Sequence, residues 1–152
     1  MTSAPTSTAI HTTAAERLRR DGQRYTTNRR TLVEVLEGSD RPLTIPELLD
    51  RRVGIPQSSA YRNLAVLERA GVVERIVTTD EFARYELAED LTEHHHHLIC
   101  SGCGEVSDFV VAPAVEQKLD EVVASIGAGA GYEIEGHRFD VIGRCGTCVA
   151  TA

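Results

Sequence analysis

The sequence predicts an α+β fold in two parts, a winged helix-turn-helix domain followed by a small α/β domain that carries four cysteines. Three observations predict it: helical segments followed by a hairpin pattern, a later strand–helix–strand pattern, and two Cys-x-x-Cys pairs. We expect a disordered tail over residues 1–13, the winged helix over 14–87, a hinge over 88–93 and the second domain over 94–152.

Four helical segments are predicted in the first domain, because apolar residues recur at helical spacing between capping residues. The predicted boundaries are Gly22 at the end of the first helix, Thr27-Asn28 and Gly38 around the second, and 58–70 for the fourth. Thr44-Ile45-Pro46-Glu47 has the pattern of a capping box, in which Thr44 caps the first turn of the third helix and Glu47 reaches back.

Two β-type segments follow, 72–77 and 82–87, with four polar residues between them, and they predict a hairpin. Three helices, a longer fourth and a hairpin are typical of a winged helix-turn-helix. A small α+β domain with no role in DNA binding has the same pattern, so this alternative stays open.

The second domain reads as strands, a helix, a loop and a last strand. The predicted ranges are strands at 98–100 and 106–111, a helix at 114–126, a flexible loop at 127–131 and a strand at 132–142. About 55 residues make a domain of marginal stability. We expect a bound metal and a partner subunit to supply what its core lacks.

The distribution of charge and the hydropathy of the chain indicate where it could bind nucleic acid or metal and whether it could span a membrane. The net charge of −7 argues against a nucleic-acid partner for the whole chain, but residues 10–75 hold 12 arginines against nine acidic residues. Residues 94–152 hold three basic residues against eight acidic ones, which favours metal binding there. Since no apolar run is long enough to span a bilayer and the first 15 residues lack a signal-peptide pattern, we expect a cytoplasmic protein.

The cysteines form two pairs, Cys100-Ser101-Gly102-Cys103 and Cys145-Gly146-Thr147-Cys148, with 41 residues between them. Cytosolic proteins seldom keep structural disulfides, and each Cys-x-x-Cys presents two sulfurs to one tetrahedral zinc. A redox pair would need one such motif at a strand-to-helix junction of a thioredoxin-like fold, and neither pair has that context. We therefore predict a structural zinc site formed by the four cysteines.

Four consecutive histidines, His94-His95-His96-His97, stand directly before the first cysteine pair. An affinity-tag remnant is the alternative, but tags lie at termini and this run is internal. In an extended segment alternate side chains point to opposite faces, so the run predicts two metal sites. The candidate further ligands are His137 and Glu116 for one site, and Glu74, Glu86, Glu89 and Asp90 for the other. Any one of these acids, taken singly, is more typical of a solvated surface charge.

These motifs resemble the ferric uptake regulator superfamily. The resemblance rests on residues 94–104 together with Ser59-Ala60-Tyr61-Arg62-Asn63-Leu64, and it extends over roughly 16–148. It implies structural zinc at the four cysteines and a second site in the dimerisation domain at His94, His96, Glu116 and His137. It further implies a regulatory hinge site at His95 and His97, with Glu74 and Glu86 as candidate ligands.

Two positions depart from the family pattern. The resemblance implies a cysteine ligand in zinc-sensing members at the position where this chain has Ala88. It implies a histidine ligand in iron-sensing members at the position where this chain has Pro42. The regulatory ion is therefore Zn²⁺ or Fe²⁺/Mn²⁺. Four histidines favour zinc, hence the zinc uptake regulator branch, because Fe²⁺ more often recruits oxygen ligands.

The function that the resemblance implies is a metal-dependent transcriptional repressor, a homodimer on a palindromic double-stranded DNA operator, with no membrane and no small organic substrate as partner. The predicted DNA-contacting residues are Arg24, Arg29, Ser58, Ser59, Tyr61 and Arg62. Iron- or manganese-responsive and peroxide-sensing repressors of the same family are alternatives. From other classes, a zinc-ribbon interaction module remains open, and a hydrolytic zinc enzyme is disfavoured because a zinc site with four thiolate ligands is closed to substrate.

Overall fold

The computed structural model describes residues 5–51 and 54–151, so the start of the predicted tail (1–4), residues 52 and 53, and the last residue of the second domain (152) lie outside it. The first domain consists of α1 (Ser7–Arg20), α2 (Thr27–Glu37), β1 (Leu43–Thr44), α3 (Ile45–Arg51), α4 (Gln57–Arg69), β2 (Val73–Val77) and β3 (Ala83–Leu87). A 3-10 turn, Glu89–Leu91, leads to β4 (His96–Cys100), β5 (Val106–Phe109), α5 (Pro113–Ala130), β6 (Asp140–Gly143) and α6 (Gly146–Ala150).

The first domain is the predicted winged helix. Its helices surround a core that includes Leu18 of α1, Leu32 of α2 and Leu64 of α4, all completely buried. Each such leucine stabilises the fold by ~1.5–3 kcal/mol. The sheet has the order β1-β3-β2, so the predicted hairpin is confirmed and gains a short third strand that the sequence did not reveal.

The capping box predicted at α3 is present. The Thr44 backbone N–H donates to Glu47 Oε2 at 2.8 Å, and the Glu47 N–H donates to Thr44 Oγ1 at 3.4 Å. Arg41 adds a hydrogen bond to Glu47 Oε1 at 2.7 Å. Together these contacts fix the entry into the helix that precedes α4.

The prediction of a disordered tail is wrong from Ser7 onward. Thr6 caps α1, and Ile10 lies on the buried side of this helix, in line with Ala14. His11 is buried as well, with its Nδ1 2.5 Å from the hydroxyl of Tyr25. The threonine- and alanine-rich composition conceals an amphipathic face whose burial stabilises the helix.

Two predicted elements of the second domain are also wrong. The glycine-rich segment at 127–131 is not a loop, because α5 continues to Ala130 and ends at Gly131, which has a φ of 75°. Gly127 is buried within this helix, where a Cβ would overlap Ile134. Of the strand predicted at 132–142, only β6 forms a ladder, parallel to β4.

β4 is the central strand of the second sheet, in the order β5-β4-β6. Its register places His97 opposite Asp108 of β5 and opposite Asp140 of β6. The segment predicted as a hinge, 88–93, is packed against the first domain, because Ala88 and Leu91 join its core. Over the described ranges no helix has the length and apolar character required to cross a membrane.

Candidate metal centres and the exposed helix α4

The four cysteines meet at one end of the second sheet. Their sulfurs all lie within 4.8 Å of one another, and Cys103 Sγ is 3.8 Å from Cys145 Sγ. Zinc–sulfur bonds of about 2.3 Å in a tetrahedron place sulfurs roughly 3.8 Å apart. Cys100 is the last residue of β4, Cys103 lies in the turn that follows, and Cys145 directly precedes α6. The donor set and its spacing fit a tetrahedral zinc ion.

Backbone amides already favour the thiolate at one corner of this group. The N–H of Cys145 donates to Cys100 Sγ at 3.2 Å, and that of Gly102 does so at 3.4 Å. Hydrogen bonds from the backbone of Cys145 and then of Cys103 lower the pKa of Cys100 to about 6. A thiolate is the form that binds zinc, so this corner is prepared for the ion.

A second group lies between β4, α5 and the segment before β6. Three imidazole nitrogens converge on one carboxylate: His94 Nε2 is 3.0 Å from Glu116 Oε1, His96 Nε2 is 2.8 Å from Oε2, and His137 Nε2 is 3.1 Å from Oε1. His137 Nε2 is buried without a well-directed hydrogen bond. Buried polar atoms are rarely left without a partner. The arrangement therefore fits a divalent metal ion bound by three imidazoles and a carboxylate, which we call the three-histidine group.

A third group joins the two domains. His95 Nε2 lies 3.2 Å from Glu86 Oε2, His97 Nε2 lies 3.1 Å from Glu86 Oε1, and both nitrogens are 4.0 Å from Asp108. Glu86 belongs to β3 of the winged helix. His95 directly precedes β4, His97 lies in β4, and Asp108 lies in β5. His97 Nε2 is buried and has no well-directed partner, so this set also fits a metal ion. We call it the interdomain group.

Electrostatics within the interdomain group reflect close contact between carboxylates and imidazoles. Burial raises the pKa of Glu86, but hydrogen bonds from His95 and His97 outweigh it and lower that pKa overall. The same hydrogen bond to Glu86 raises the pKa of His95 to about 9 against the effect of burial. Burial raises the pKa of Asp108. Clusters of titratable groups with shifted pKa values are frequent at functional sites.

The structure does not bring Glu74 into the interdomain group, contrary to the expected ligand set. Its Oε1 accepts the backbone N–H of Glu89 at 3.3 Å. The residue lines both the cleft that contains His94 and His137 and the small cavity beside Glu86, His95 and His97, but it is not among the clustered ligand atoms there. Sequence reasoning missed Asp108, and also Asp140, whose Oδ1 lies 3.2 Å from His97 Nδ1. The register of β4 with its two neighbouring strands brings both acids to His97, and no local pattern contains that information.

Among the described residues predicted to contact DNA, Ser58, Tyr61 and Arg62 are exposed on the N-terminal half of α4. Ser59 is half-buried, and its hydroxyl accepts from Asn63 Nδ2 at 3.1 Å, so it anchors the helix from within. The side chains on the outer face are free of this constraint and can reach a duplex.

Arg24 is exposed, but Arg29 is held inside the domain by three hydrogen bonds. Arg29 Nε donates to Asn63 Oδ1 at 3.0 Å, and its terminal nitrogens donate to the Arg24 carbonyl at 2.6 Å and to Gln23 Oε1 at 3.1 Å. Arg29 therefore ties α2 to α4 and sets the direction in which α4 presents its outer face. Sequence reasoning did not find Asn63 or Gln23 as its partners.

Comparison with known proteins agrees with this architecture. Residues 20–142 match the model of the ferric uptake regulator family. The ferric uptake regulation protein of Campylobacter jejuni is 35% identical over 140 residues, 86% of this chain and 83% of that protein. The peroxide operon regulator of Bacillus subtilis is 28% identical over 139 residues, 89% of this chain and 90% of that protein.

The solved structure of the Helicobacter pylori ferric uptake regulator, a protein with three functional metal-binding sites, superposes with a TM-score of 0.73. It is 26% identical, and the match covers 98% of this chain and 97% of that one. The winged helix, the second domain with its cysteine cluster and the extent of these matches all agree. This chain belongs to the ferric uptake regulator family of metal-responsive transcriptional regulators.

Proposed function

We propose that this chain is a transcriptional repressor that binds a palindromic DNA operator as a homodimer when its interdomain group holds a divalent ion. One observation supports this most directly: Glu86 comes from the DNA-binding domain, while His95, His97 and Asp108 come from the adjoining part of the chain and the second domain. An ion bound there supplies a common centre for ligands from both domains. These side chains then favour one domain orientation over the others, which is a shift of population toward the DNA-binding form.

The outer face of α4 is the proposed reading surface. In a winged helix the recognition helix enters the major groove with its N-terminal residues facing the base edges. Arg62 is placed to form a bidentate contact with guanine, and Tyr61, 53% exposed, offers its ring to a thymine methyl. Arg29 contributes through the direction of α4 rather than as a freely extended phosphate contact.

The ligand set of the interdomain group favours Fe²⁺ or Mn²⁺. It has two carboxylates, those of Glu86 and Asp108, beside the two imidazoles of His95 and His97. Carboxylate oxygens suit Mn²⁺, and two histidines with a carboxylate are typical of Fe²⁺ sites. A zinc-responsive repressor is the second candidate, because three of the four ligands in the three-histidine group are imidazoles. Peroxide sensing through a bound iron remains the third.

The homodimer is supported by the exposed apolar side of α5. Val115, Val122 and Ile126 are 47%, 56% and 66% exposed, although their helical spacing is that of a buried stripe. On β6, Ile142 is exposed as well. Apolar surface of this extent marks an interface, and a twofold dimer would present two α4 helices to two half-sites.

The test is DNA binding measured by fluorescence anisotropy, with protein that keeps its cysteine-bound zinc and is titrated anaerobically with Fe²⁺, Mn²⁺ and Zn²⁺. We expect the affinity for operator DNA to rise about 5–150-fold on loading, with the steepest response to Fe²⁺ or Mn²⁺. A steep fall in affinity with added salt should accompany specific binding. Equal affinity before and after the ion is removed would contradict the proposal, and no affinity at all would favour the zinc-ribbon interaction module.

A further inference from the structure

Two carboxylates outside the proposed ligand sets touch the rear nitrogens of the three-histidine group. His94 directs Nε2 at Glu116, and its other nitrogen, Nδ1, contacts the carboxylate of Glu89. His137 repeats the arrangement, with Nε2 toward Glu116 and Nδ1 3.4 Å from Asp120 Oδ1. In both of these histidines, the nitrogen that faces away from Glu116 therefore contacts a carboxylate.

This contact has a defined chemical consequence. An imidazole that binds an ion through Nε2 carries its proton on Nδ1, which then becomes an obligatory donor. A carboxylate that accepts this proton fixes the ring orientation and increases the basicity of the nitrogen that binds the ion. Glu89 and Asp120 therefore offer the same chemical group to their histidines, although only the contact of Glu89 meets hydrogen-bond geometry.

Their places in the fold differ. Asp120 lies on α5, in the same domain as the histidines, whereas Glu89 lies in the 3-10 turn between the domains. The backbone N–H of Glu89 donates to Glu74 on β2. The next residue, Asp90, forms an ion pair with Arg17 of α1, and Leu91 is buried in the core of the first domain.

Arg17 extends this connection. In addition to its hydrogen bond to Asp90, the Arg17 guanidinium donates to the carbonyl of Gly71, which lies in the turn that joins α4 to β2. A short path of direct contacts therefore leads from His94 through Glu89 and Asp90 to Arg17 and then to the end of the helix that carries the proposed reading surface. No comparable path starts from Asp120 among the contacts of the described residues.

We propose that Glu89 is a positioning residue that couples the three-histidine group to the orientation of the DNA-binding domain. The inference rests on the proposed function, because it assumes that domain orientation governs DNA affinity. With an ion held at Nε2 of His94, the proton of that ring would lie on Nδ1 and would be donated to Glu89. This hydrogen bond would hold the turn Glu89–Leu91 in the conformation in which Asp90 engages Arg17. Without that donor the turn is held less firmly and α4 is less well placed.

The experiment compares Glu89→Ala with Asp120→Ala in the full chain, since both remove a carboxylate behind a histidine and Glu89→Ala keeps the backbone hydrogen bond to Glu74. Zn²⁺ is added to protein that already holds its cysteine-bound zinc. Both variants should bind the added Zn²⁺ more weakly, by about tenfold, in competition with a chelating dye. At saturating Zn²⁺ the Asp120 variant should regain wild-type DNA affinity, whereas the Glu89 variant should remain about fivefold or more weaker.

A second readout does not depend on DNA. Hydrogen exchange at residues 88–93 should slow when Zn²⁺ is added to the wild type and to the Asp120 variant, but not to the Glu89 variant. Glu89→Gln, which keeps an acceptor oxygen, should restore much of this protection. The inference is overturned if both variants behave alike at saturation in both measurements. If the wild type shows Zn²⁺-dependent exchange but its DNA binding responds to none of Zn²⁺, Fe²⁺ and Mn²⁺, the proposed function fails while the coupling through Glu89 stands.

Discussion

Asp80, at the tip of the β2–β3 hairpin, lies directly against Gly104, the residue that follows Cys103. A Cβ at position 104 would overlap the Asp80 carboxylate, and Gly104 has a φ of 73°. Arg84 holds that carboxylate from the other side with two hydrogen bonds of 2.8 Å. The tip of the wing therefore contacts the turn beside the cysteine cluster, and a glycine is required at the contact for two reasons, space and backbone conformation.

Gly104→Ala should lower the stability of the protein and weaken the contact between the tip of the β2–β3 hairpin and the turn at Gly104. The left-handed conformation alone costs an alanine about 1–2 kcal/mol, and the overlap with Asp80 adds to this. Urea unfolding of the zinc-bound protein measures the loss. Gly136→Ala is the control, because nothing lies within 4 Å of a Cβ there and its φ is not positive. Equal unfolding midpoints for both variants would show that the contact with Asp80 is not held in solution.

Asp108→Asn should weaken ion binding at the interdomain group, whereas Glu74→Gln should leave it nearly unchanged. Asp108 lies near both His95 and His97, while Glu74 is occupied with the backbone of Glu89. Isothermal titration with Mn²⁺ distinguishes the two, and we expect a loss of about tenfold or more for Asp108→Asn. The opposite order would restore Glu74 to the ligand set that the family resemblance implies.

Arg62→Ala should cost ~1–3 kcal/mol in binding to operator DNA and little in binding to scrambled DNA. The guanidinium is exposed on the outer face of α4, where it can reach base edges. Arg69→Ala serves as the control, because Arg69 lies at the other end of the same helix and pairs with Asp21 at 3.1 Å. Anisotropy measurements on both DNAs suffice. A similar loss for the two variants would mean that only overall charge matters.

Stability should fall in acid as Glu47 is protonated. Burial raises the pKa of Glu47, but hydrogen bonds from Arg41 and Thr44 outweigh it and lower the pKa to about 2. A carboxyl whose folded pKa lies below its ordinary 4.5 stabilises the fold above that pH and ceases to do so as pH falls toward 2. Because the side chain is 38% exposed, solvent screening limits the effect to about 1 kcal/mol or less.

Glu47→Gln should flatten this acid dependence between pH 5 and pH 2, as measured by urea unfolding at each pH. Asp50→Asn, an exposed carboxylate on the same helix, is the control and should keep the wild-type slope. If the wild type and Glu47→Gln lost stability in parallel over this range, the capping box would not be the source of the effect.

Local patterns predicted most of the winged helix, because capping residues and apolar spacing act within a few positions of one another. The Thr44 and Glu47 pair is the clearest example, and α2 and α4 differ from prediction by only a residue or so at their ends. Cysteine spacing and the alternation of the histidines likewise indicated that thiols and imidazoles gather, which the structure shows.

What the sequence could not supply depends on residues far apart in the chain. Asp108 reaches His97 only through the register of β5 on β4. The helix α5 extends through a glycine-rich segment despite the low helix propensity of glycine, and Ile134 packs against Gly127 within it. Glu74 and Glu86 face each other across the hairpin, so their pattern cannot say which one reaches the second domain.

The buried residues are distributed unevenly between the two halves of the chain. The main apolar cluster consists of side chains from Ile10 to Leu91, whereas α5 leaves Val122 and Ile126 in solvent. A chain that completes its interior with a second copy of itself gains stability with the logarithm of its own concentration. In the proposed homodimer, the concentration of the protein in a cell would set its folded fraction together with the bound ion. A defective chain, by pairing with an intact one, would also withdraw that intact chain from use.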